Sequence, residues 1–392
     1  MILCLRLKNF YSLRDEVILD FTADSSARRS HDDKPENLID FSGDKFVNII
    51  GLFGSNAAGK SNIIKAIDYC RNLILKSHLN NEGDELNYEP FKFGCETPSS
   101  FYIDFVSNGI EYEYSFELYN GKIFSEELYY YPHKRKSKIF TRTNNNSYTF
   151  KKGIISRPNE VVANTGSKTL YLSRASSMNR EIAQIVYRFF LQQVVIGLES
   201  VDLHNISAAD FDKYKQTLLK GMEVSDSDII NIELTETIPG KHILQSFHRE
   251  NPAIPFDFIR EESEGTKRLL TLLLLLLKKI SYGATFFLDE FDLKLHLRLA
   301  EFILNMIRAS EKSQMVFTSH NPWLIDTDSL RPEQIILVSK HADGNSEFCS
   351  LADFESIEEI KDIRKAYLQG RFDGVPYIGN PNSVLSEIPG IE

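Results

Sequence analysis

Gly54-Ser55-Asn56-Ala57-Ala58-Gly59-Lys60-Ser61 separates two segments of different hydrophobic periodicity, and this change indicates the class of fold. The run from Phe46 to Phe53 is almost continuously apolar and predicts a buried strand. The apolar residues after the quoted stretch recur at helical spacing: Ile63, Ile64, Ala66 and Ile67. A buried strand, a glycine-punctuated turn and an amphipathic helix in this order predict an α/β fold.

The turn itself fits the pattern G-x-x-x-x-G-K-[ST], which binds phosphate when it stands between a strand and a helix. Its glycines let successive backbone N–H groups face one anion, and the amino terminus of the helix adds a positive dipole end. Lys60 is expected to reach the β- and γ-phosphates of a nucleotide, and Ser61 is expected to bind Mg²⁺. The alternative is a glycine-rich turn without a ligand, which the flanking strand and helix make the weaker interpretation.

Two later apolar runs carry polar residues where they end. Residues 284–288 are followed by Asp289 and Glu290. We expect Asp289 to hold Mg²⁺ and Glu290 to act as general base toward the attacking water. The alternative is an acidic pair that only stabilises a helix amino terminus. Residues 315–318 are followed by Ser319 and His320, and His320 is expected to contact the γ-phosphate unless it is a packed core residue. The predicted catalytic residues are therefore Lys60, Glu290 and His320.

The composition indicates a soluble globular protein of two domains or of one large elaborated domain. The 392 residues are 42% hydrophobic and 26% charged, with a formal net charge of −10, which excludes bulk disorder and whole-surface binding of nucleic acid. Four cysteines without a CxxC pair predict neither a disulfide framework nor a zinc ribbon. The longest apolar run, Leu269 to Leu277, is about half of what a bilayer requires, and no secretory leader is recognised. We expect a cytoplasmic protein without a membrane partner.

Together these motifs resemble the ATP-binding-cassette (ABC) class of ATPases, in the branch shared by structural-maintenance (SMC), RecF-like and OLD-like proteins. The phosphate loop of that branch often reads G-x-N-x-x-G-K-S-N, which Asn56 and Asn62 match. Asn9-Phe10-Tyr11-Ser12 resembles the "NF-x-S" start of the branch, and Ser263-Glu264-Gly265-Thr266 occupies the place of the cassette signature. Asp289 to His296 resembles the run "DE-x-(D/E)-x-x-LH", with Asp292 in the dimer loop.

The resemblance implies a fold and an assembly. The fold is an α/β ABC-type P-loop ATPase head with a mixed parallel core sheet, an antiparallel meander and a mainly helical insertion. ATP and Mg²⁺ are the implied cofactors, and the implied nucleotide-binding residues are Gly54, Ser55, Asn56, Ala57, Ala58, Gly59, Lys60, Ser61 and Asn62. In the family the signature of one protomer, here Ser263 and Gly265, caps the γ-phosphate held by the other. A homodimer or higher homo-oligomer with shared ATP sites is therefore expected.

The pattern along the chain predicts four segments. Residues 1–165 form the first part of the head, with the phosphate loop and a meander that Asn-Gly turns at 108–109 and 120–121 predict. Residues 166–245 form the mainly helical insertion. Residues 246–345 complete the head with the signature, the acidic strand and His320, and residues 346–392 form a tail. No glutamine of the Q-loop type follows the first helix, because Pro90-Phe91-Lys92 occupies that place, so we expect slow hydrolysis.

Within the branch, the chain resembles stand-alone ATPases of bacterial abortive-infection and phage-defence systems of the AbiL, PARIS and Septu kind. Ala57-Ala58 and the tail Tyr367 to Pro376 carry this resemblance, although Asp373 stands where glycine is expected. It implies an ATP-driven sensor or scaffold that controls a separately encoded effector, a toxin or nuclease. The alternatives are a RecF-like DNA-repair clamp and a toxin or nuclease in its own right, and no metal cluster or nucleophile–base pair in the sequence supports the latter.

The densest basic stretch contains Lys134, Arg135 and Lys136. Such a stretch can contact the phosphates of a nucleic acid, which would then be a further partner. The alternative is the solvated end of a hairpin.

Overall fold

The computed structural model describes residues 1–23, 35–93, 96–225, 227–238, 241–355, 357–372 and 374–375. The strands of these parts are β1 (Ile2–Lys8), β2 (Val17–Asp20), β3 (Leu38–Phe41), β4 (Asp44–Val47), β5 (Ile49–Gly54), β6 (Ser99–Ser107), β7 (Ile110–Tyr119), β8 (Lys122–Tyr130), β9 (Ser137–Arg142), β10 (Tyr148–Phe150), β11 (Val194–Ile196), β12 (Ile229–Ile238), β13 (Lys241–His248), β14 (Pro255–Asp257), β15 (Thr285–Leu288), β16 (Gln314–Ser319), β17 (Ile335–Lys340) and β18 (Ser346–Ser350). The helices are α1 (Lys60–Lys76), α2 (Pro158–Ala163), α3 (Tyr171–Ser177), α4 (Glu181–Gln192), α5 (Ala208–Val224), α6 (Phe258–Glu261), α7 (Glu264–Lys279), α8 (Leu297–Arg308) and α9 (Ile363–Leu368).

The core sheet has the strand order β11-β15-β16-β5-β17-β18. All its pairings are parallel except that of β17 with β18. All six residues of β5 are buried, as expected of a strand covered on both faces. Because β5, β15 and β16 run in the same direction, their carboxyl ends meet at one edge of the sheet. The phosphate loop, Asp289 and His320 all follow these ends, so the topology brings them together.

A second sheet, with the order β10-β9-β8-β7-β6-β1-β2, is antiparallel throughout. Its centre is the meander that the sequence predicts, with Asn108, Gly109, Asn120 and Gly121 at positive φ in the two tight turns. That backbone matches the twist of the flanking strands, which is why Asn-Gly is favoured there. The predicted fold class, a mixed parallel core sheet plus an antiparallel meander, is confirmed.

The two sheets are joined through buried contacts that are distant in sequence. Gln314, fully buried on β16, accepts the Ile2 N–H at 2.7 Å and donates to the Ile2 carbonyl at 2.9 Å. The ring of Phe105 on β6 stacks on Phe189 of α4 with centroids 4.2 Å apart. The side chain of Gln314, at the start of β16, therefore links the first residue of β1 to the core sheet.

The segment 166–245, predicted as mainly helical, contains α3, α4 and α5 and also β11, β12 and the first part of β13. β11 lies within it and pairs with β15 in the core sheet, so this segment contributes directly to the core. The predicted boundary at 245 falls inside β13, and the predicted tail from 346 begins with β18 of the core sheet. The four-segment division therefore stays a prediction.

Three further expectations meet the structure. The apolar run 46–53 is not one strand, because β4 pairs with β3 and the chain restarts at Ile49 as β5. Residues 24–34, and Asp373 and Pro376 of the tail, lie outside the described residues. The leucine run lies on α7 and is buried from Leu272 to Leu276, as an all-round apolar helix predicts. Among the helices that the structure describes, none has the length and apolarity to cross a bilayer.

Candidate active site

The phosphate loop connects β5 to α1, and Lys60 is the first residue of that helix. The buried Lys60 Nζ donates to the carbonyl oxygens of Gly54 and Ser55, each at 2.9 Å. Burial lowers the pKa of Lys60 to about 8, and the carboxylates of Asp289 and Glu290 oppose this effect. The loop thus holds an incompletely compensated positive charge, which suits a bound anion.

Two serines from distant segments support the back of the loop. Ser346 Oγ on β18 donates to the Ala58 carbonyl at 2.6 Å and lies 2.6 Å from Ser12 Oγ, which accepts from Asn62 Nδ2 at 2.6 Å. Gly59 has a φ of 109°, and a Cβ there would lie 2.1 Å from Ser346 Oγ. Only glycine fits this position, since both the backbone region and the space exclude a side chain. Of these residues, Ser346 was not identified from the sequence. Its hydrogen bond joins it to Ala58, 288 positions away, and such a contact leaves no local pattern.

Asp289 follows β15 and faces the start of α1. Its Oδ1 accepts from Ser61 Oγ at 2.9 Å and from Thr318 Oγ1 at 2.5 Å. A carboxylate and a serine hydroxyl are oxygen ligands of the kind that Mg²⁺ prefers. The side chains of Ser61 and Asp289 therefore fit the predicted Mg²⁺ site, with Ser61 at the carboxylate as the motif requires.

Glu290 has an unusual backbone. Its φ is 43°, its N–H donates to Thr318 Oγ1 at 2.8 Å, and its carbonyl accepts from Arg268 Nη2 on α7 at 2.6 Å. His320 Nε2 lies 3.8 Å from Glu290 Oε1, and His320 Nδ1 lies 3.4 Å from Lys60 Nζ. The three predicted catalytic residues, Lys60, Glu290 and His320, thus lie side by side, with the Glu290 carboxylate half exposed.

The remaining predicted nucleotide-binding residues lie in the phosphate loop and in the signature segment. Asn56 and Ala57 are exposed at the tip of the loop, with Ala57 at a φ of 62°, whereas Ala58 is buried against the serine pair. Ser263 is exposed and caps α7, where its Oγ accepts from the Thr266 N–H at 3.1 Å.

Gly265 packs against the segment after β15, where its Cβ would lie 2.8 Å from the Lys294 carbonyl. The contacts of the signature residues therefore run to α7 and to the segment after β15. A role at a nucleotide stays a prediction for both Ser263 and Gly265.

The basic stretch lies in the turn between β8 and β9, and its three predicted residues are exposed. Lys136 forms an ion pair with Glu113, and Lys134 Nζ donates to the Ser42 carbonyl at 2.8 Å. Part of the local positive charge is therefore paired within the chain. Binding of nucleic acid by Lys134, Arg135 and Lys136 stays a prediction.

Comparison with known proteins gives one family and a set of solved structures. The family model described as "AAA domain, putative AbiEii toxin, Type IV TA system" matches residues 49–326. The SMC head domain from Thermotoga maritima is 17% identical with a TM-score of 0.44, covering 89% of this chain and 98% of that one. An Smc head domain bound to the C-terminal domain of ScpA, derived from Pyrococcus furiosus, is 16% identical with a TM-score of 0.45, covering 91% and 98%. No curated protein matches the sequence.

The match to the family model spans the phosphate loop, the signature segment, the acidic strand and the strand that precedes His320. It covers well over half of the chain and includes every residue of the site described above, apart from the supporting Ser12 and Ser346. The predicted ATPase class is thereby confirmed, and the chain belongs to this AAA-domain family.

Proposed function

We propose that the protein binds and hydrolyses ATP with Mg²⁺, and that ATP joins two or more copies at shared sites. The observation that carries the proposal is the convergence of Lys60, the Ser61–Asp289 pair, Glu290 and His320 at one edge of the core sheet. These are the parts that phosphoryl transfer to water requires: a phosphate cradle, an oxygen site for the metal and a group that accepts a proton.

Each residue has a separable task. Lys60 exchanges its two carbonyl partners for phosphate oxygens, and the first-turn N–H groups of α1 add to the positive potential. Glu290 accepts the proton of the attacking water at its carboxylate, and the ring of His320, between Glu290 and Lys60, orients that water. When bound, Mg²⁺ neutralises charge on the phosphate oxygens. Since no Q-loop glutamine is found in the sequence, slow hydrolysis is expected.

We further propose that the ATP-bound assembly is a cytoplasmic sensor or scaffold that controls a separately encoded effector in antiviral defence. The family description "AAA domain, putative AbiEii toxin, Type IV TA system" supports a role in a toxin–antitoxin type of system. That the effector is encoded separately rests on the resemblance to stand-alone defence ATPases. The exposed Ser263 at the start of α7 supports shared sites, since it is available to the nucleotide of a second copy.

Glu290→Gln is expected to reduce hydrolysis by at least about a hundredfold while ATP stays bound, because an amide cannot accept the proton. Lys60→Ala is expected to abolish ATP binding. The matched control for Glu290→Gln is Glu311→Gln, which removes the same charge from the exposed turn before β16. This turn lies at the opposite end of the strand that leads to His320. Turnover is measured by phosphate release and binding by calorimetry. Normal turnover by Glu290→Gln would remove Glu290 as the base.

The role in the cell is tested by native mass spectrometry of tagged Glu290→Gln protein, purified with ATP and Mg²⁺ from its own host with neighbouring genes intact. A homo-oligomer that carries a second polypeptide supports the sensor with an effector. A bare dimer that carries nucleic acid supports the RecF-like clamp instead. A monomer without nucleotide contradicts the proposed site.

A further inference from the structure

Thr318 lies on β16, two residues before His320, and its side chain is fully buried. Its Oγ1 donates to Asp289 Oδ1 at 2.5 Å and accepts the Glu290 N–H at 2.8 Å. Its carbonyl oxygen accepts the Phe291 N–H at 3.3 Å. Thr318 on β16 therefore forms hydrogen bonds with three successive residues, Asp289, Glu290 and Phe291, which we call the acidic segment.

The acidic segment depends on an external partner because its backbone leaves the strand at this point. Glu290 adopts a left-handed φ of 43°, which a residue with a Cβ rarely holds unless its surroundings impose it. The parallel pairing of β15 with β16 ends at Leu288, so the Glu290 N–H has no strand partner and meets the Thr318 hydroxyl instead. Without that acceptor a poorly solvated N–H would lose its bond, and the left-handed turn would lose a contact that holds it.

The same hydroxyl fixes the Asp289 carboxylate. A single oxygen, Oδ1, accepts from Ser61 on one side and from Thr318 on the other, which defines the rotation of the carboxylate. Ser61 is itself a predicted Mg²⁺ ligand, so its bond to Asp289 changes when a metal binds. Thr318, unlike Ser61, is not itself a predicted ligand of the metal, so its bond to the Asp289 carboxylate can persist in both states.

We infer that Thr318 is a positioning residue, whose hydroxyl sets the geometry of Asp289 and Glu290 relative to His320. The inference rests on the proposed function, ATP hydrolysis at this site, and adds a residue that the phosphate-loop and acidic-strand motifs do not contain. The competing explanation is that Thr318 only fills space between two strands.

Thr285 separates the two explanations because it is a matched buried threonine on the neighbouring strand. It is fully buried at the start of β15, and its Oγ1 donates to Gln314 Oε1 of β16 at 3.0 Å. It therefore bridges the same strand pair at the end of the sheet away from the site. Thr285→Val removes the same hydroxyl as Thr318→Val without touching the acidic segment.

The experiment compares wild type, Thr318→Val, Thr318→Ser and Thr285→Val. Steady-state phosphate release gives kcat and KM, and calorimetry with adenylyl imidodiphosphate gives affinity in Mg²⁺ and in EDTA. We expect Thr318→Val to lower kcat by at least about tenfold and to raise KM only by the few-fold loss of Mg²⁺-dependent affinity, because misplaced catalytic groups cost mainly rate. The gain in affinity on adding Mg²⁺ should shrink by about threefold or more, with affinity in EDTA unchanged. Thr318→Ser should restore both quantities, and Thr285→Val should leave both as in wild type.

Equal kcat and equal Mg²⁺ gain for Thr318→Val and wild type would overturn the inference and leave the proposed function standing. If wild type neither binds nor hydrolyses ATP, the proposed function fails and the inference fails with it. Thermal unfolding of each variant monitors folding. If Thr318→Val does not fold, Thr318→Ala replaces it, and equal kcat for the alanine and serine variants would overturn the inference.

Discussion

At the scale of single residues, the protonation of Lys60 before nucleotide binds leads to a testable prediction. Two backbone carbonyls replace only part of the hydration that its ammonium group loses on burial, so its pKa is lowered to about 8. A polyphosphate placed against the ammonium group would favour the charged form and return the pKa toward its ordinary value. Binding of ATP is therefore coupled to the uptake of a proton in the range above pH 7.

We expect about half a proton to be taken up per ATP bound at pH 8, and only about a tenth at pH 7, where Lys60 is already charged. The affinity for ATP should fall as the pH rises above 8, because charging Lys60 then costs free energy. Calorimetry in buffers of different ionisation enthalpy measures this uptake. Lys60→Arg is the control, since its guanidinium group stays charged throughout. Uptake that does not change between pH 7 and pH 8 would contradict the assignment to Lys60.

The sequence identifies the residues of the site whose signal is local. The phosphate loop is one continuous motif between a strand and a helix, and Asp289, Glu290 and His320 each follow an apolar run. Thr318 and Ser346 carry no such signal, because their roles come from contacts with residues 29 and 288 positions away. A threonine at the end of an otherwise apolar run does not by itself reveal these contacts.

At the scale of elements, Gln314 is the residue through which two sheets share hydrogen bonds. It serves both backbone groups of Ile2 in β1 and accepts from Thr285 of β15, and all three contacts are buried. An apolar side chain at this place would leave the N–H and carbonyl of Ile2 without partners. Buried groups in that state are costly, at about 1–3 kcal/mol each.

Gln314→Leu is therefore expected to lower the free energy of unfolding by about 3 kcal/mol, although leucine has a similar size and greater hydrophobicity. Urea denaturation followed by circular dichroism measures the change. Gln369→Ala is the comparison, because Gln369 is exposed at the end of α9 and should alter stability by less than about 0.5 kcal/mol. A neutral or stabilising effect of Gln314→Leu would mean that β1 finds other partners.

The elements themselves were predictable to different degrees. Long helices with a clear apolar face, such as α1, and alternating strands joined by Asn-Gly, such as β6–β8, follow from sequence periodicity. β11 has three residues and therefore no measurable period, and its place in the sheet depends on pairing with β15, about ninety residues later. The break between β4 and β5 could not be predicted either. Asn48 is a single polar residue with apolar residues on both sides, so the two strands look like one apolar run in the sequence.

At the scale of the whole molecule, the proposed assembly would bury side chains that are now in solvent. Leu293, next to Asp292 in the predicted dimer loop, is 49% exposed three residues after Glu290. Covering this apolar side chain with a second copy would remove its surface from water, which is favourable. Its exposure agrees with a face that meets another copy.

Leu293→Glu, introduced into the Glu290→Gln protein, is expected to weaken the ATP-bound dimer by at least about tenfold, because the interface would bury an unpaired charge. Sedimentation equilibrium with and without ATP measures the dimer. The matched control is Leu79→Glu, where the leucine is 68% exposed just after α1. Equal dimerisation of the two variants would place the interface on another face.

The order of strands in the core sheet has a consequence for how the chain reaches this structure on the ribosome. β5 lies at the centre, between β16 and β17, and those neighbours begin at residues 314 and 335. At about 5–20 residues per second, roughly 280 further residues take on the order of 15 to 60 seconds to synthesise. Throughout that interval the nascent protein carries a fully apolar strand without its partners, which is the kind of segment that aggregates or recruits chaperones. Translation speed over the second half of the message should therefore influence how much of this protein matures.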